Sequence, residues 1–355
     1  MGLLNMRVKL AVSWSLLAAV SGCVPTFDDN LPLIDKPTLL AIQAEPAEAA
    51  PGKDVQLSAL IGTPEANGAI PELRWGLCIA RKPLTELGPV NSICIQAPSG
   101  REKQIIDLGS GLTVTATLPM DACRLFGPSL PEPMNGEPAG RPVDPDPTGG
   151  FYQPISATLR DPAVTSMGSV RIFCPPSGLD QEQAASFNSK YRNNQNPFID
   201  QLSARTESGE ILPIPDEPDA LSVAASQVLR FEASWRACPH SAVCGDGVCG
   251  AGEDKGNCGD DCATPKGCTG AEDYAWFNPD ARTVETRHES VRVSWFSNAG
   301  RFEDAVTGRD ENEFDETTTD DVWTAPSIPG TVRVWAVIRD SRGGQSSRSF
   351  LLTVR

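Results

Sequence analysis

Residues 331–354 read TVRVWAVIRDSRGGQSSRSFLLTV and predict two β-strands joined by a tight turn. β-Branched and aromatic residues, which are favoured on a pleated surface, dominate Thr331–Ile338 and recur in Ser349–Val354. Between them, Ser341–Gly344 ends in two glycines, a composition typical of hairpin turns. The stretch therefore predicts an antiparallel hairpin and favours an all-β fold.

The same pattern recurs along the chain. Short runs with period-2 alternation are separated by Gly, Pro and Asp, which is typical of β-sandwiches. The other predicted strands are Thr38–Ala44, Val55–Ile61, Leu73–Cys78, Leu112–Leu118, Pro154–Leu159, Val170–Cys174, Phe198–Ala204, Leu221–Ala225, Val228–Trp235, Tyr274–Phe277 and Val291–Phe296. We expect two tandem sandwiches, at residues 38–178 and 196–355, the first with a Pro-rich loop at 127–149.

Two features resemble Ig-like domains. Trp75 precedes Cys78 closely, where Ig-like domains keep a tryptophan in the core, so a packed core indole is expected. The segments Trp323–Pro326 and Pro329–Trp335 resemble the closing strands of bacterial Ig-like domains of cell-surface proteins. The chain is also similar to uncharacterised surface lipoproteins of the myxobacterial type. That resemblance implies a fold and a place in the envelope, and no chemistry.

One helix is expected between the sandwiches, within residues 179–195. Asp180 can cap it, and Gln183 stands at the capping-box position three residues later. Ala184, Phe187 and Tyr191 follow at helical spacing.

The N-terminus has the features of an export signal. Arg7 and Lys9 precede an apolar run that ends at Val20, too short to span a membrane. The sequence Val20-Ser-Gly-Cys23 then resembles the lipobox of bacterial lipoproteins. That family implies a signal peptide at 1–22, lipid on Cys23 and a tether at 23–37. Val24 in place of Asp favours the outer membrane, at its periplasmic face or the cell surface. The alternative is an ordinary signal peptide in which Cys23 is incidental.

The charge of the chain limits the kinds of partner it can bind, and its cysteine content predicts disulfide bonds. The chain carries 46 acidic and 30 basic residues, which argues against nucleic acid or anionic lipid as the partner. Apart from Cys23, ten cysteines remain, an even number that predicts five disulfides in an exported chain. They are Cys78, Cys94, Cys123, Cys174, Cys238, Cys244, Cys249, Cys258, Cys262 and Cys268. We predict the pairs 78–94 and 123–174 and leave the pairing of the last six open.

Those last six cysteines lie in an insertion at residues 236–270. The pattern C-G-D-G-x-C, starting at Cys244, resembles a small disulfide module of secreted bacterial proteins. Five carboxylates lie among its glycines and cysteines, and packed carboxylates suit Ca²⁺. They are Asp246, Glu253, Asp254, Asp260 and Asp261. A solubilising acidic loop is the alternative to a calcium site, and no other cofactor is expected.

A second acidic stretch, Glu303–Asp321, holds nine Asp and Glu residues and is expected to be a solvated loop. A cation site or a contact for a basic partner is the alternative.

No sequence pattern predicts an enzyme. The G-x-S-x-G, P-loop, dinucleotide-binding and H-E-x-x-H patterns are absent from the sequence. His240 and His288, the two histidines, are expected to be surface residues without partners. The predicted function is a non-enzymatic envelope lipoprotein that binds an envelope or extracellular protein or has a structural role. A glycan- or matrix-binding adhesin, stabilised by calcium, is the alternative function. A hydrolase is the third hypothesis.

Overall fold

The computed structural model describes residues 32–81, 90–95, 103–127, 150–161, 163–176, 179–250, 252–263, 267–278 and 280–355. The predicted signal, Cys23, most of the tether and nearly all of the Pro-rich loop lie outside these residues.

The first half of the chain forms a sandwich of two sheets. Its strands are β1 (Thr38–Glu45), β2 (Glu48–Ala49), β3 (Asp54–Gly62), β4 (Leu73–Cys78), β5 (Ile105–Ser110), β6 (Thr113–Thr117), β7 (Phe151–Arg160) and β8 (Ala163–Ile172). One sheet has the order β1-β3-β6 and the other β2-β8-β7-β4-β5. This is the Ig-like arrangement, in which strands A, B and E face C, F and G.

A single core joins the two sheets of this sandwich. Val55 and Leu57 on β3 pack with Trp75 on β4 and Ile155 on β7, all fully buried. The Trp75 indole donates to the carbonyl of Gly111 at 2.7 Å, so its polar edge is satisfied. The expected core position of Trp75 is confirmed.

The second half repeats the architecture. Its strands are β9 (Gln201–Thr206), β10 (Ile211–Pro213), β11 (Ala220–Val223), β12 (Val228–Ser234), β13 (Asp273–Asn278), β14 (Thr283–His288), β15 (Val291–Ser297), β16 (Arg301–Phe302), β17 (Val306–Arg309), β18 (Thr318–Thr324), β19 (Gly330–Asp340) and β20 (Gln345–Val354). The sheets have the orders β10-β9-β12-β18-β16 and β11-β20-β19-β15-β17. In both sandwiches a short strand, β2 or β11, pairs in parallel with the last strand. The all-β, Ig-like fold is therefore confirmed for both halves.

The Cys-rich segment interrupts the second sandwich between β12 and β15. The hairpin β13–β14 follows the cysteines and forms a two-stranded sheet of its own. The sequence placed Tyr274–Phe277 among the sandwich strands, whereas it belongs to this hairpin. The residues between the two sandwich strands thus contain a disulfide module and a hairpin.

Two α-helices lie among the described residues. Ala122–Phe126 (α1) is a single short turn, and Gln181–Lys190 (α2) is the expected connecting helix. The predicted capping box is present, because the Asp180 carboxylate accepts the backbone N–H of Gln183 at 2.9 Å and the Gln183 side-chain oxygen accepts the backbone N–H of Asp180 at 3.0 Å.

The two sandwiches touch through an apolar contact. Leu40 and Ala41 on β1 pack with Trp335 and Val337 on β19, and Ile34 joins them. Since Val334, Ala336 and Ile338 fill the core of the second sandwich, β19 is buried on both faces. The sheet of the second sandwich that contains β19 is therefore covered on one side by the first.

Candidate functional site

Five disulfides crosslink the chain. The predicted pairs Cys78–Cys94 and Cys123–Cys174 are present, and the module contains Cys238–Cys268, Cys244–Cys258 and Cys249–Cys262. The Cys238–Cys268 bond joins residues that are 30 positions apart, and closing a loop of that length stabilises a fold by about 3–4 kcal/mol in the chain-entropy treatment. All ten described cysteines are oxidised, which leaves none of them as a thiol ligand or nucleophile.

Three of the module's five predicted cation ligands converge. One oxygen each from Asp246, Glu253 and Asp261 lies within 4.8 Å of the others. Asp254 and Asp260 are exposed and lie outside that group. The structure therefore brings together part of the predicted set.

These carboxylates hold the backbone of the loop. Glu253 is buried and accepts N–H bonds from Val243 at 2.6 Å and Gly250 at 3.0 Å. Asp261 accepts two more at 2.5 and 3.0 Å from the glycine turn 245–247. Backbone N–H bonds to a carboxylate are charge-assisted and strong, so the acidic residues have a structural role here. Calcium binding stays a prediction.

The two histidines share one carboxylate. His240 Nδ1 lies 2.9 Å from Asp273 Oδ1, and His288 Nδ1 lies 2.6 Å from the same atom. Asp273 and His288 are direct cross-strand partners in the β13–β14 hairpin, which fixes their separation. The prediction that these histidines are surface residues without partners is wrong. Sequence reasoning missed the site because β14 was not recognised as a strand.

The aromatic ring of Phe314 packs against both imidazoles. It stacks on His288 with centroids 3.8 Å apart and meets His240 edge-on at 4.5 Å. The next residue, Asp315, places Oδ1 3.8 Å from His240 Nε2. The side chain of Asp273 is 8% exposed, against 25% for His240 and 30% for His288. The cluster is thus closed on the carboxylate side and open at the imidazoles.

A second polar cluster lies where the two sandwiches and the connecting segment meet. Glu48 on β2 accepts from Arg171 at 3.1 Å, from the backbone of Asn194 at 3.0 Å and from the hydroxyl of Tyr191. Glu48 and Arg171 are almost completely buried. Burial beside Glu48 raises the pKa of Tyr191, so this phenol stays a hydrogen-bond donor.

Arg342 extends this buried network, which we call the junction network, into the second sandwich. Its Nε donates to Glu289 at 2.6 Å, its Nη2 to Glu272 and its Nη1 to the carbonyl of Arg192 at 3.2 Å. Burial raises the pKa of Glu289 and lowers the pKa of Arg342 to about 10, because each charge is removed from water. Each charged form therefore depends on its partner.

Asp340 ends β19, and its carboxylate binds the backbone of the β19–β20 turn. It accepts backbone N–H bonds from Arg342 and Gly344, both at 2.8 Å, and lies 3.2 Å from the amide nitrogen of Asn194. Burial raises the pKa of Asp340 to about 7, against the opposing effect of these hydrogen bonds.

The acidic stretch Glu303–Asp321 is more ordered than expected. It contains β17 and the start of β18, and Asp321 is buried. Asp321 accepts from the backbones of Asp304, Ala305 and Val322 at 2.7–3.2 Å. The expectation of a solvated loop is therefore wrong for the strand residues, and burial raises the pKa of Asp321.

Open clefts border these clusters. One of about 210 Å³ lies among α2, the module and the hairpin, with Glu253, Asp254 and Asp273 in its wall. Another of about 270 Å³ lies between the sandwiches and includes Asp340. Within the described ranges, no helix is long and apolar enough to cross a bilayer.

Comparisons with known proteins identify no family. No family model matches the chain, and no curated protein matches it. Among solved structures, the Yersinia pseudotuberculosis adhesin InvE is 9% identical with a TM-score of 0.20, over 88% of this chain and 58% of that one. The Escherichia coli alpha-2-macroglobulin activated by porcine elastase is 11% identical with a TM-score of 0.19, over 90% of this chain and 22% of that one. A protein of unknown function from Porphyromonas gingivalis W83 is 7% identical, with a TM-score of 0.19, over 88% of this chain and 99% of that one.

The chain thus spans less than two thirds of the first two structures. At these TM-scores the similarities support no conclusion about fold or function. The Ig-like assignment is based on the strand order of the two sandwiches.

Proposed function

We propose that this chain is a non-enzymatic lipoprotein of the bacterial cell envelope, held in the outer membrane through lipid on Cys23. It binds an envelope or extracellular protein, or braces an assembly, with its two Ig-like sandwiches. The observation that carries the proposal is the buried connection of the sandwiches through the junction network and the apolar contact at Trp335. Binding domains that are already packed against each other present a partner surface at a lower entropic cost of ordering it.

The shape of the surface also supports a binding role. Sites for small molecules usually measure about 300–1,000 Å³. The clefts beside Asp273 and Asp340 are smaller, and a third cleft of about 350 Å³, beside Tyr191 and Asp254, lies at the lower end of that range. A glycosidase needs two carboxylates facing one cleft. In the cleft beside Asp273, Glu253 is bound to the backbone N–H groups of Val243 and Gly250, and Asp273 is bound to both histidines. Asp340 borders the other cleft with a raised pKa, but Glu289, also with a raised pKa, is enclosed by Arg342. Because these carboxylates are bound by other groups of the chain, the arrangement does not favour the hypothesis of a hydrolase.

The sugar-binding alternative requires aromatic side chains along one exposed face. Phe198 is the only described aromatic residue among the strongly exposed large hydrophobic side chains. Trp276 on β13 is partly covered by the guanidinium of Arg287, 3.5 Å from the ring centroid. These observations favour a protein partner over a glycan.

The test is crosslinking in intact cells that produce the lipidated chain. A photo-reactive amino acid is placed at exposed positions in the module (Val243), in the β18–β19 loop (Ile328) and in the first sandwich (Ile70). We expect a discrete crosslinked species from at least one position, with a protein component found by mass spectrometry. If none of the three positions yields one, the binding proposal fails.

The anchor is tested with Cys23→Ser. We expect the variant to leave the membrane fraction while remaining folded, as judged by its disulfides on non-reducing gels. A variant that stays membrane-bound contradicts the lipid anchor.

A further inference from the structure

We infer that His240, Asp273 and His288 form a binding site for a divalent transition-metal ion of the Zn²⁺ type. One ring nitrogen of each histidine and one carboxylate oxygen of Asp273 all lie within 4.8 Å of one another. Both Nδ1 atoms lie within hydrogen-bond distance of Asp273 Oδ1. Two imidazoles and a carboxylate are a ligand set that Zn²⁺ takes in proteins.

The distances suit a metal with a small adjustment. Tetrahedral bonds of about 2.0–2.1 Å place neighbouring ligand atoms about 3.3 Å apart. The two Nδ1 atoms lie 2.9 and 2.6 Å from Asp273 Oδ1, so the imidazoles need to move outward by less than 1 Å. Both imidazoles are partly exposed, which permits that movement and gives the ion a path in.

The backbone holds the ligands in advance. Asp273 and His288 face each other across β13–β14, and His240 follows Cys238, which the bond to Cys268 fixes. Each ligand thus stands on a crosslinked or paired segment, which lowers the cost of ordering a site.

The surroundings of His240 also suit coordination through Nδ1. Metal-bound histidines usually give their other ring N–H to a carboxylate or carbonyl, which fixes the tautomer. Asp315 Oδ1 lies 3.8 Å from His240 Nε2, beyond hydrogen-bond distance, and its exposed side chain has to move about 1 Å closer to take that role. We assign Asp315 as a positioning residue. Phe314 covers one side of the site, and three protein ligands leave a coordination position open.

The test is metal titration of the full lipidated chain, purified in detergent and freed of metal with a chelator. ZnCl₂ is titrated by calorimetry, and CoCl₂ is used as a spectroscopic probe of coordination. We expect one saturable site and the visible absorption of a four-coordinate cobalt ion. A hydrogen-bonded His-Asp-His cluster that takes no metal gives neither signal above the background of the acidic surface, and that outcome overturns the assignment.

Variants separate this site from the rest of the acidic surface. Losing even an outer partner of a metal ligand costs about 10–100-fold in affinity, so His288→Gln should weaken zinc binding by at least that factor. Asp315→Asn should weaken zinc binding about tenfold while the cobalt spectrum stays four-coordinate. Glu303→Gln removes one exposed carboxylate elsewhere in the acidic stretch and should leave affinity unchanged.

Because His288 is partly exposed, the chain should fold without it, which is checked by circular dichroism without metal. Equal affinity of His288→Gln and the parent chain would place the bound zinc elsewhere and refute the proposal.

Discussion

Asp340 has a pKa that makes folding stability depend on pH. Its carboxyl titrates near pH 7 in the folded chain and near its ordinary value, about 3.9, when unfolded. Between those two values the folded chain binds the proton and the unfolded chain does not. The contribution of Asp340 to stability therefore falls as pH rises from about 4 to about 7, by up to about 1.4 kcal/mol per pH unit, and is flat above pH 7.

We predict that Asp340→Asn removes this dependence. Asparagine keeps an oxygen for the backbone N–H groups of Arg342 and Gly344. The stability of the variant relative to the parent should rise from pH 4 to pH 7 and then level off. Urea denaturation across pH 4–9 measures both profiles, and their difference excludes the other titrating groups. Parallel profiles would show that Asp340 does not titrate in this range.

At the scale of single residues, the sequence indicated which side chains are reactive or charged, but it seldom showed which side chains they contact in the fold. Spacing was enough for Cys78 and Cys94, because a short loop limits where each sulfur can reach. His240 and Asp273 meet through tertiary contact over 33 residues, which no local pattern encodes. Arg342 lies in a glycine-rich turn, where an arginine is ordinarily solvated, and is 0% exposed.

Among the elements, α2 has the clearest local cause. The Asp180 carboxylate accepts the backbone N–H of Gln183, one of the first N–H groups that lack a partner within the helix. Removing that acceptor costs about 1 kcal/mol.

We predict that Asp180→Ala weakens the amide protection of residues 181–190 about fivefold in hydrogen exchange. Asp180→Asn is the matched control, since asparagine caps helices equally well. Equal protection in the alanine variant and the parent would mean that packing of Phe187, and not the cap, holds the helix.

For strand β19, the sequence predicted the element but not the residues that cover it. The run Val334–Ile338 is continuously apolar, and such runs mark strands that are buried on both faces. The sequence predicted the strand but not what covers its second face, since the covering residues Leu40 and Ala41 lie about 300 positions away. The strands β17 and β18 were missed because β17 lies within, and β18 begins in, the acidic stretch Glu303–Asp321, which resembled a solvated loop.

At the scale of the whole molecule, the junction network joins the two sandwiches into one unit. Removing one partner of a buried ion pair leaves an uncompensated charge and typically costs about 3–5 kcal/mol. Arg342 has two such partners, Glu272 and Glu289. Arg348 on β20 is instead paired with Asp216, whose side chain is 95% exposed.

We predict that Arg342→Met lowers the free energy of unfolding by about 3–5 kcal/mol, whereas Arg348→Met changes it by less than about 1 kcal/mol. In the parent chain, peptides from β7 and β19 should lose hydrogen-exchange protection at the same urea concentration, because the sandwiches unfold together. Equal losses in the two variants, or separate transitions in the parent, would contradict a stabilising junction.

The insertion between β12 and β15 has a consequence for the order of folding. Its three disulfides span 13–30 residues, and all six cysteines precede β15 in the chain. At the base of the β13–β14 hairpin, just before the chain rejoins the sandwich at β15, Glu289 donates its backbone N–H to the carbonyl of Glu272 at 3.1 Å. A chain that enters an oxidising compartment N-terminus first can complete the module before β15, β19 and β20 arrive. The entropic cost of closing a loop increases with the logarithm of its length. Early crosslinking of the module therefore shortens the effective loop between β12 and β15 and lowers the cost of adding the last strands.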